Sequence, residues 1–230
     1  MTNEIIYRIV AILIGYVIGN FTMGYFLGKA KNVDIQHEGS GNVGSTNTLR
    51  TMGVKAGAVT FVVDFIKAVI AMFIVYFMFR NSADYIGLDM IYAGVGAILG
   101  HDFPVFLKFK GGKGIATSAG LVAIMFPMIF VISLSLFIIT VLISRYVSLG
   151  SVVGSIAYGV LVIVFGQLGW LSFSQLSWLA YPTEYLPEIY IVMLCATALA
   201  LFQHRANIVR LIQHKERKFS FSSSKNKKVD

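Results

Sequence analysis

Glycine and small polar side chains are concentrated in residues 39–50, which read G-S-G-N-V-G-S-T-N-T-L-R. The segment lies between two strongly apolar stretches. Its glycines let backbone N–H groups approach a ligand closely, and its hydroxyls and amides add hydrogen-bond donors. Arg50 ends the segment with a planar fork of donors that suits a phosphate group. This composition indicates an anion-binding loop at the start of a helix, with a flexible polar loop between two membrane helices as the alternative.

A second glycine-rich segment, residues 100–117, reads G-H-D-F-P-V-F-L-K-F-K-G-G-K-G-I-A-T. Its glycines and Lys113 directly precede an apolar stretch, so backbone N–H groups and the positive end of a helix face whatever Lys110 and Lys113 attract. The spacing G-x-x-x-x-G-K-[ST] is absent, which argues against a nucleotide site. A basic loop that only anchors the chain at the membrane would explain the lysines but not the three glycines around Lys113.

The third segment, residues 204–218, reads H-R-A-N-I-V-R-L-I-Q-H-K-E-R-K and follows the last apolar stretch. Helical spacing places His204 and Asn207 on one face, and Arg210 extends that face. A histidine in this position can serve as a general base or as a donor to phosphate. The alternative is a basic helix end that interacts with its own dipole and with lipid headgroups.

The composition of the whole chain indicates a polytopic membrane protein. Of its 230 residues 57% are hydrophobic and 13% are charged, whereas soluble domains are about 45–50% apolar and about 25% charged. The single cysteine, Cys195, excludes a disulfide framework, and the histidines form no H-x-x-x-H pair. We expect no metal, no other cofactor and no nucleic-acid partner.

The apolar stretches predict a bundle of seven transmembrane helices, at residues 5–27, 56–79, 85–99, 114–126, 128–143, 147–168 and 186–202. The fourth and fifth form one apolar run, which we predict to turn back at Pro127 because proline disfavours a helix interior. The alternative is one kinked helix. Within the second predicted helix, Asp64 and Lys67 lie three residues apart and can pair.

The distribution of lysine and arginine predicts the orientation. With the N-terminus outside and seven crossings, nearly all cations lie in inside loops or in the C-terminal tail, while the outside holds Arg80 and the marginal Arg8. The kinked-helix alternative would place Arg145 and the basic tail opposite the earlier basic loops. We therefore expect a cytoplasmic C-terminus, one membrane domain over residues 1–219, and a basic, disordered tail over residues 220–230.

In this order and at these separations, the three segments resemble those of the bacterial acyl-phosphate-dependent glycerol-3-phosphate acyltransferases of the PlsY type. The resemblance implies a seven-helix inner-membrane enzyme, expected to be monomeric, whose active site lies at the cytoplasmic surface among membrane lipids. Such an enzyme transfers a fatty acyl group from acyl phosphate to the 1-hydroxyl of glycerol 3-phosphate. The products are lysophosphatidic acid and phosphate, in the first step of phospholipid synthesis.

The resemblance also implies roles for individual residues. The catalytic residues would be His204, Asn207 and Lys113. The substrate-binding residues would be Ser40, Gly41, Asn42, Gly44, Thr46, Asn47, Arg50, Lys110, Gly111, Gly112, Gly114, Ser148, Ser151, Arg205 and Arg210. The chain departs from the family pattern at Ser45, where alanine is usual, and at His214, where glycine usually precedes the glutamate, here Glu216.

Two other classes of function fit part of the pattern. A membrane transporter or binding protein for phosphorylated lipid precursors would use the polar loops as a gate, but such sites more often lie near the bilayer midplane between internal repeats. A non-catalytic scaffold for anionic lipids would explain the lysines but not the glycine, asparagine and threonine of the loops.

Overall fold

The computed structural model describes residues 2–171 and 180–218. All regular structure in these ranges is helical, without a strand. The α-helices are α1 (Thr2–Gly19), α2 (Met23–Ala30), α3 (Ser45–Met52), α4 (Val54–Phe79), α5 (Ile86–Asp102), α6 (Ile115–Met125), α7 (Pro127–Ser144), α8 (Val147–Gln167), α9 (Leu186–Gln203) and α10 (Arg205–Ile212). Single 3-10 turns occupy Val105–Leu107 and Thr183–Tyr185. The predicted all-helical architecture is confirmed.

Six helical segments of the described chain are long and apolar enough to cross a membrane. They are Asn3–Ala30, Val54–Phe79, Ile86–Leu107, Pro127–Ser144, Val147–Gln167 and Thr183–Gln203. The apolar helix α6 is shorter, with 11 residues, or about 16 Å of helix against a hydrocarbon core of about 30 Å. The count of seven crossings and the outside N-terminus stay predictions.

The first apolar stretch is not one helix, contrary to the prediction for residues 5–27. It breaks between α1 and α2, where the Asn20 amide nitrogen donates to the Tyr16 carbonyl at 2.6 Å and its amide oxygen accepts from the Val105 N–H at 2.8 Å. A side chain that bonds the backbone in this way competes with the helical hydrogen bonds. Hydropathy could not detect the break, because the flanking residues are apolar on both sides.

The apolar run around Pro127 is divided as predicted. α6 ends at Met125, Phe126 has non-helical dihedrals (φ −137°, ψ 65°), and Pro127 opens α7. Proline suits the first position of a helix because the N–H that it lacks would have no helical partner there. α6 begins beside the cavity that is described below and runs away from it. α7 runs back and ends at the same end of the bundle.

Helix α5 is the central element, and most of its residues are buried. It packs closely on α1 through small residues: a Cβ atom at Gly15 or Gly19 of α1 would overlap the backbone of α5. The reverse holds for Gly96 and Gly100, whose Cβ atoms would overlap the backbone of α1. Small residues at the contact allow such close approach of helices in a membrane. The packing fixes the C-terminal end of α5, which borders the functional site.

Candidate active site

A cavity of about 350 Å³ lies where several helix termini meet, which is within the range of small-molecule sites. The first turns of three helices line it: Ser45 and Thr46 of α3, Ile115 and Ala116 of α6, and Val147 and Ser148 of α8. The first N–H groups of a helix have no helical partner, and the helix dipole makes that end positive. Three such ends around one cavity favour an anionic ligand.

Residues 39–44 form the loop that leads into α3, and two asparagines, Asn42 of the loop and Asn47 of α3, hold it together. The Asn47 amide oxygen accepts from the Ser40 N–H at 2.8 Å, and its amide nitrogen donates to the carbonyls of Ile35 and Glu38. The Asn42 amide nitrogen donates to the Gly111 carbonyl at 3.2 Å, which ties this loop to the second glycine-rich segment. Both asparagines line the cavity, and these bonds commit their amides to loop structure.

The glycines of the second segment pack the loop before α6 against the C-terminal end of α5. The N–H groups of Gly111 and Gly112 donate to the carbonyls of Asp102 and His101, at 3.1 Å and 2.9 Å. A Cβ atom at Gly112 would overlap the imidazole of His101. Gly114 has a left-handed conformation (φ 69°) immediately before α6, where glycine is favoured because it has no Cβ. These glycines therefore allow the close packing that places Lys113 in the cavity.

Lys113 belongs to a chain of polar contacts that crosses the cavity. Its Nζ donates to the Asn207 amide oxygen. The Asn207 amide nitrogen donates to Glu216 Oε1 at 2.9 Å, and Arg210 Nε donates to Glu216 Oε2 at 2.8 Å. Because Asn207 accepts from an ammonium and donates to a carboxylate, the orientation of its amide is fixed.

The cations of the cavity are partly removed from water. Burial lowers the pKa of Lys113 to about 8, with Arg210 and Arg50 adding repulsion and Glu216 opposing them. Burial also lowers the pKa of Arg50, although a guanidinium stays protonated throughout the physiological range. Arg50 makes no hydrogen bond within the described ranges. A half-buried guanidinium with no hydrogen-bonding partner in the part of the chain that the structure describes is suited to an anionic ligand.

His204 lies at the junction of α9 and α10 and is buried in the cavity wall. Its Nδ1 is 2.8 Å from the Ala200 carbonyl oxygen. A carbonyl only accepts, so Nδ1 bears the proton and Nε2 of the neutral ring has a free lone pair. Burial, assisted by the nearby Lys113, lowers the pKa of His204 to about 4. The neutral ring can therefore accept a hydrogen bond from a hydroxyl group.

The structure brings together most of the residues that the sequence singled out. Those that line the cavity are His204, Asn207, Lys113, Ser40, Asn42, Gly44, Thr46, Asn47, Arg50, Gly114, Ser148, Ser151 and Arg210. Those outside its lining are Gly41, Lys110, Gly111, Gly112 and Arg205. Lys110 and Arg205 are exposed, and the Arg205 guanidinium lies over the Phe202 ring at 4.1 Å.

Other lining residues did not stand out as ligands in the sequence. Glu216 joins the chain of contacts from Lys113, and the only local signal was a lone acid among basic residues. Asp64 and His101 reach the cavity from the apolar helices α4 and α5. Phe61 and Phe137 add an apolar wall, and nothing in the sequence distinguishes them from other lipid-facing phenylalanines.

Comparison with known proteins identifies the family. The sequence profile of the glycerol-3-phosphate acyltransferases matches residues 9–214. A glycerol-3-phosphate acyltransferase of Thermoanaerobacter sp. (strain X514) is 38% identical over 213 residues, which cover 92% of this chain and 96% of the relative. That of Clostridioides difficile (strain 630) is 39% identical over 220 residues, covering 94% and 97%. The chain belongs to the glycerol-3-phosphate acyltransferase family.

Solved structures place it in the PlsY branch of that family. The glycerol 3-phosphate form of PlsY (YgiH), an integral membrane glycerol 3-phosphate acyltransferase, superposes with a TM-score of 0.77 at 32% identity, covering 93% of this chain and 96% of that chain. The lysophosphatidic acid form of the same enzyme gives a TM-score of 0.75. The chain is therefore a multi-pass membrane acyltransferase that acts on glycerol 3-phosphate. The family resemblance that the three polar segments indicated is confirmed. The comparisons do not support the alternative of a transporter.

Proposed function

We propose that this PlsY-family enzyme transfers a fatty acyl group from acyl phosphate to the 1-hydroxyl of glycerol 3-phosphate. The products would be lysophosphatidic acid and inorganic phosphate, in the first step of phospholipid synthesis. The observation that supports this most is the convergence of three helix N-termini with Arg50, Lys113 and Arg210 on one cavity. This arrangement suits a reaction in which the acceptor molecule carries a phosphate group and the leaving group is phosphate.

The phosphate of glycerol 3-phosphate would bind to Ser40, Arg50 and Lys113. The phosphate of the donor would bind to Thr46, to the free N–H groups at the helix starts, and to Ser148 or Ser151. The Ser151 hydroxyl already donates to the Val147 carbonyl at 3.0 Å, so its oxygen would accept rather than donate, which favours Ser148 as the hydroxyl donor to an anion.

The apolar part of the cavity suits a donor with a fatty chain. Phe61 of α4 is 43% exposed, so it faces the surroundings of the bundle as well as the cavity. Phe137 of α7 also lines the cavity. A fatty chain can lie against these rings while the phosphate that it bears stays among the helix N-termini.

Acyl phosphate is already activated, so the reaction needs no covalent enzyme intermediate. The 1-hydroxyl oxygen of glycerol 3-phosphate attacks the acyl carbonyl carbon, the carbonyl–phosphate bond breaks, and inorganic phosphate leaves. The hydroxyl proton passes to Nε2 of His204 or to an oxygen of a substrate phosphate. Lys113 and Asn207 lie next to His204 in the wall and would orient the hydroxyl and stabilise the negative charge that develops on the carbonyl oxygen.

The same reasoning supports a location for the enzyme. The cations that line the cavity belong to segments that the charge distribution assigns to the cytoplasmic side of the bacterial inner membrane. A water-soluble acceptor would enter from the cytoplasm and the fatty donor from the bilayer. We also propose that the enzyme, with one membrane domain over residues 1–219, acts as a monomer.

Phosphate release from palmitoyl phosphate by the purified enzyme in detergent tests the proposal. We expect release that depends on glycerol 3-phosphate and that is matched by formation of lysophosphatidic acid. Palmitoyl coenzyme A and a palmitoylated acyl carrier protein serve as competing donors. Acyl transfer from a thioester, with none from palmitoyl phosphate, would refute the assignment of the donor and leave the assignment of the acceptor in place.

Two variants test the site within the same assay. Arg50→Ala and Lys113→Ala each remove a half-buried cation from the cavity, so we expect turnover to fall by about 100-fold or more. Lys55→Ala is the matched control, because Lys55 is an exposed lysine in the first turn of α4, outside the cavity lining. Near-normal activity of either cavity variant, with the protein folded, would contradict the proposed site.

A further inference from the structure

Lys67 is a buried lysine in the middle of an apolar membrane helix, and the proposed chemistry does not use it. Its side chain is 4% exposed, and its Nζ lies 3.0 Å from Asp64 Oδ1, so the pair predicted from the sequence is confirmed. The same ammonium donates to the carbonyls of Gly19 and Phe21, at 3.1 Å and 2.9 Å. These carbonyls lie at the break between α1 and α2, where the end of a helix leaves carbonyls without helical partners.

The fourth contact of this ammonium leads to the active site. Lys67 Nζ lies 2.7 Å from His101 Nδ1. An ammonium has three N–H groups and no acceptor, so it shares them among these four neighbours; facing it, Nδ1 is an acceptor and the neutral ring bears its proton on Nε2. Asp64 Oδ1 lies 3.6 Å from the same Nδ1. The rotation and the tautomer of this ring are therefore set from the side of α4.

The other edge of the His101 ring supports the glycine loop. Nε2 faces Gly112 so closely that a Cβ atom there would overlap the ring. The Gly112 N–H also donates to the His101 carbonyl at 2.9 Å. The next residue is Lys113, whose Nζ reaches Asn207 in the cavity. A continuous series of contacts thus runs from the break after α1 through Lys67 and His101 to the loop that presents Lys113.

We propose that Lys67 is a positioning residue for glycerol 3-phosphate: through the imidazole of His101 it sets the loop that holds Lys113. The inference rests on the proposed contact between Lys113 and the phosphate of glycerol 3-phosphate. It gives the buried Asp64–Lys67 pair a task beyond mutual neutralisation. Charges inside a membrane are costly and are often functional, and in this position the cost would be offset by order at the ligand site.

The first test compares Lys67→Met with wild type. Binding of glycerol 3-phosphate is measured by titration calorimetry without any donor, and the KM for each substrate is measured by turnover. We expect Lys67→Met to weaken binding of glycerol 3-phosphate by about tenfold to a hundredfold, which corresponds to loss of one charge-assisted hydrogen bond. The KM for the donor should stay close to that of wild type. Lys55→Met is the matched control, with both constants unchanged.

The second test is a pair of mutant cycles, because residues that act as one unit are not additive. Gly112→Ala should weaken binding of glycerol 3-phosphate strongly in wild type and much less in a His101→Ala background, where the methyl group has room. Lys67→Met should add little in the same background. If Lys67→Met does not fold, Lys67→Arg replaces it in both tests. It keeps a buried cation but cannot place a single ammonium between His101 and the carbonyls.

The outcomes distinguish a lysine that positions the glycerol 3-phosphate site from a lysine that only stabilises the fold. If Lys67 only stabilised the break between α1 and α2, its substitution would lower the melting temperature and leave the affinity of the folded protein for glycerol 3-phosphate unchanged. That result would overturn the inference. Additive effects of the substitutions at positions 67 and 101 would overturn it as well. Failure of the proposed donor is a separate result: wild type would bind glycerol 3-phosphate but would not use palmitoyl phosphate.

Discussion

At the scale of the residue, Lys113 combines a half-buried position with a pKa of about 8, so its charge changes near physiological pH. A substrate phosphate is doubly ionised above pH of about 6 and binds the protonated lysine. As the pH rises through the pKa, Lys113 loses its proton and its attraction for the phosphate. We therefore expect the KM for glycerol 3-phosphate to rise above pH of about 8, by up to about tenfold per pH unit.

Steady-state kinetics between pH 6 and 10 would measure this rise. Lys113→Arg is the informative variant, because a guanidinium keeps its charge throughout that range. Its KM for glycerol 3-phosphate should be nearly independent of pH, even if its absolute value is higher. An alkaline rise of equal size in Lys113→Arg would assign the titration to another group.

His204 differs from Lys113 because its task requires the neutral form. With Nδ1 bonded to the Ala200 carbonyl, its Nε2 is the acceptor offered to the attacking hydroxyl. We expect His204→Ala to lower kcat by about 10²-fold or more, the usual contribution of a positioned acid–base group. The affinity for glycerol 3-phosphate, measured by calorimetry, should change little. An equal loss in kcat and affinity would indicate that the ring binds the ground state.

Residue types predicted most of the cavity, because phosphate chemistry restricts the choice to arginine, lysine, small hydroxyls and glycine. They did not reveal the partner of each donor. The amides of Asn42 and Asn47 are used within the loops, and the N–H groups of Gly111 and Gly112 are used on the end of α5. Such assignments depend on three-dimensional contacts between segments about 70 residues apart in the sequence, as in the bond from Asn42 to Gly111.

At the scale of the element, the turn after α10 brings Glu216 back to the cavity. His214 has a left-handed conformation (φ 55°) in this turn, a region in which glycine avoids a steric cost of about 1–2 kcal/mol. We expect His214→Gly to stabilise the protein by about 1 kcal/mol without changing turnover. Thermal unfolding in detergent would measure the gain.

Gly53 offers the reverse substitution as a control. It also has a positive φ (89°), and no atom beyond its immediate chain neighbours lies within 4 Å of the position where its Cβ would be. Gly53→Ala should therefore destabilise the protein through backbone strain alone. If His214→Gly lowered the melting temperature, contacts of the imidazole would have to outweigh the strain.

Sequence patterns predicted helices better than breaks in helices. The turn at Phe126 could be predicted because proline follows it, whereas the break after Gly19 depends on Asn20, which acts through bonds to Tyr16 and Val105. α3 was also not separated from the polar segment 39–50, because its eight residues contain few apolar positions. Short polar helices are stabilised by their surroundings, and periodicity cannot detect them.

At the scale of the whole molecule, the cavity joins chain segments that are distant in sequence, and this restricts the topology. Lys113, Ser148 and His204 line one cavity, so the starts of α6 and α8 and the end of α9 lie at the same end of the bundle. A single kinked helix through Pro127 would have placed Lys113 and Ser148 at opposite ends. The basic loops around these residues favour the cytoplasm for that end.

Labelling of single cysteines with a membrane-impermeant maleimide would determine the orientation. The native Cys195 is first replaced by serine, because it is exposed on α9, and one cysteine is then introduced as Arg80→Cys, Glu184→Cys or Lys215→Cys. We expect reagent added to intact cells to label positions 80 and 184 only, and reagent added to inverted vesicles to label position 215 only.

Labelling of 80 and 184 from opposite sides would mean an even number of crossings. Labelling of 215 from outside would reverse the proposed cytoplasmic location of the active site, because Lys215 directly precedes Glu216, whose carboxylate contacts Asn207 in the cavity wall.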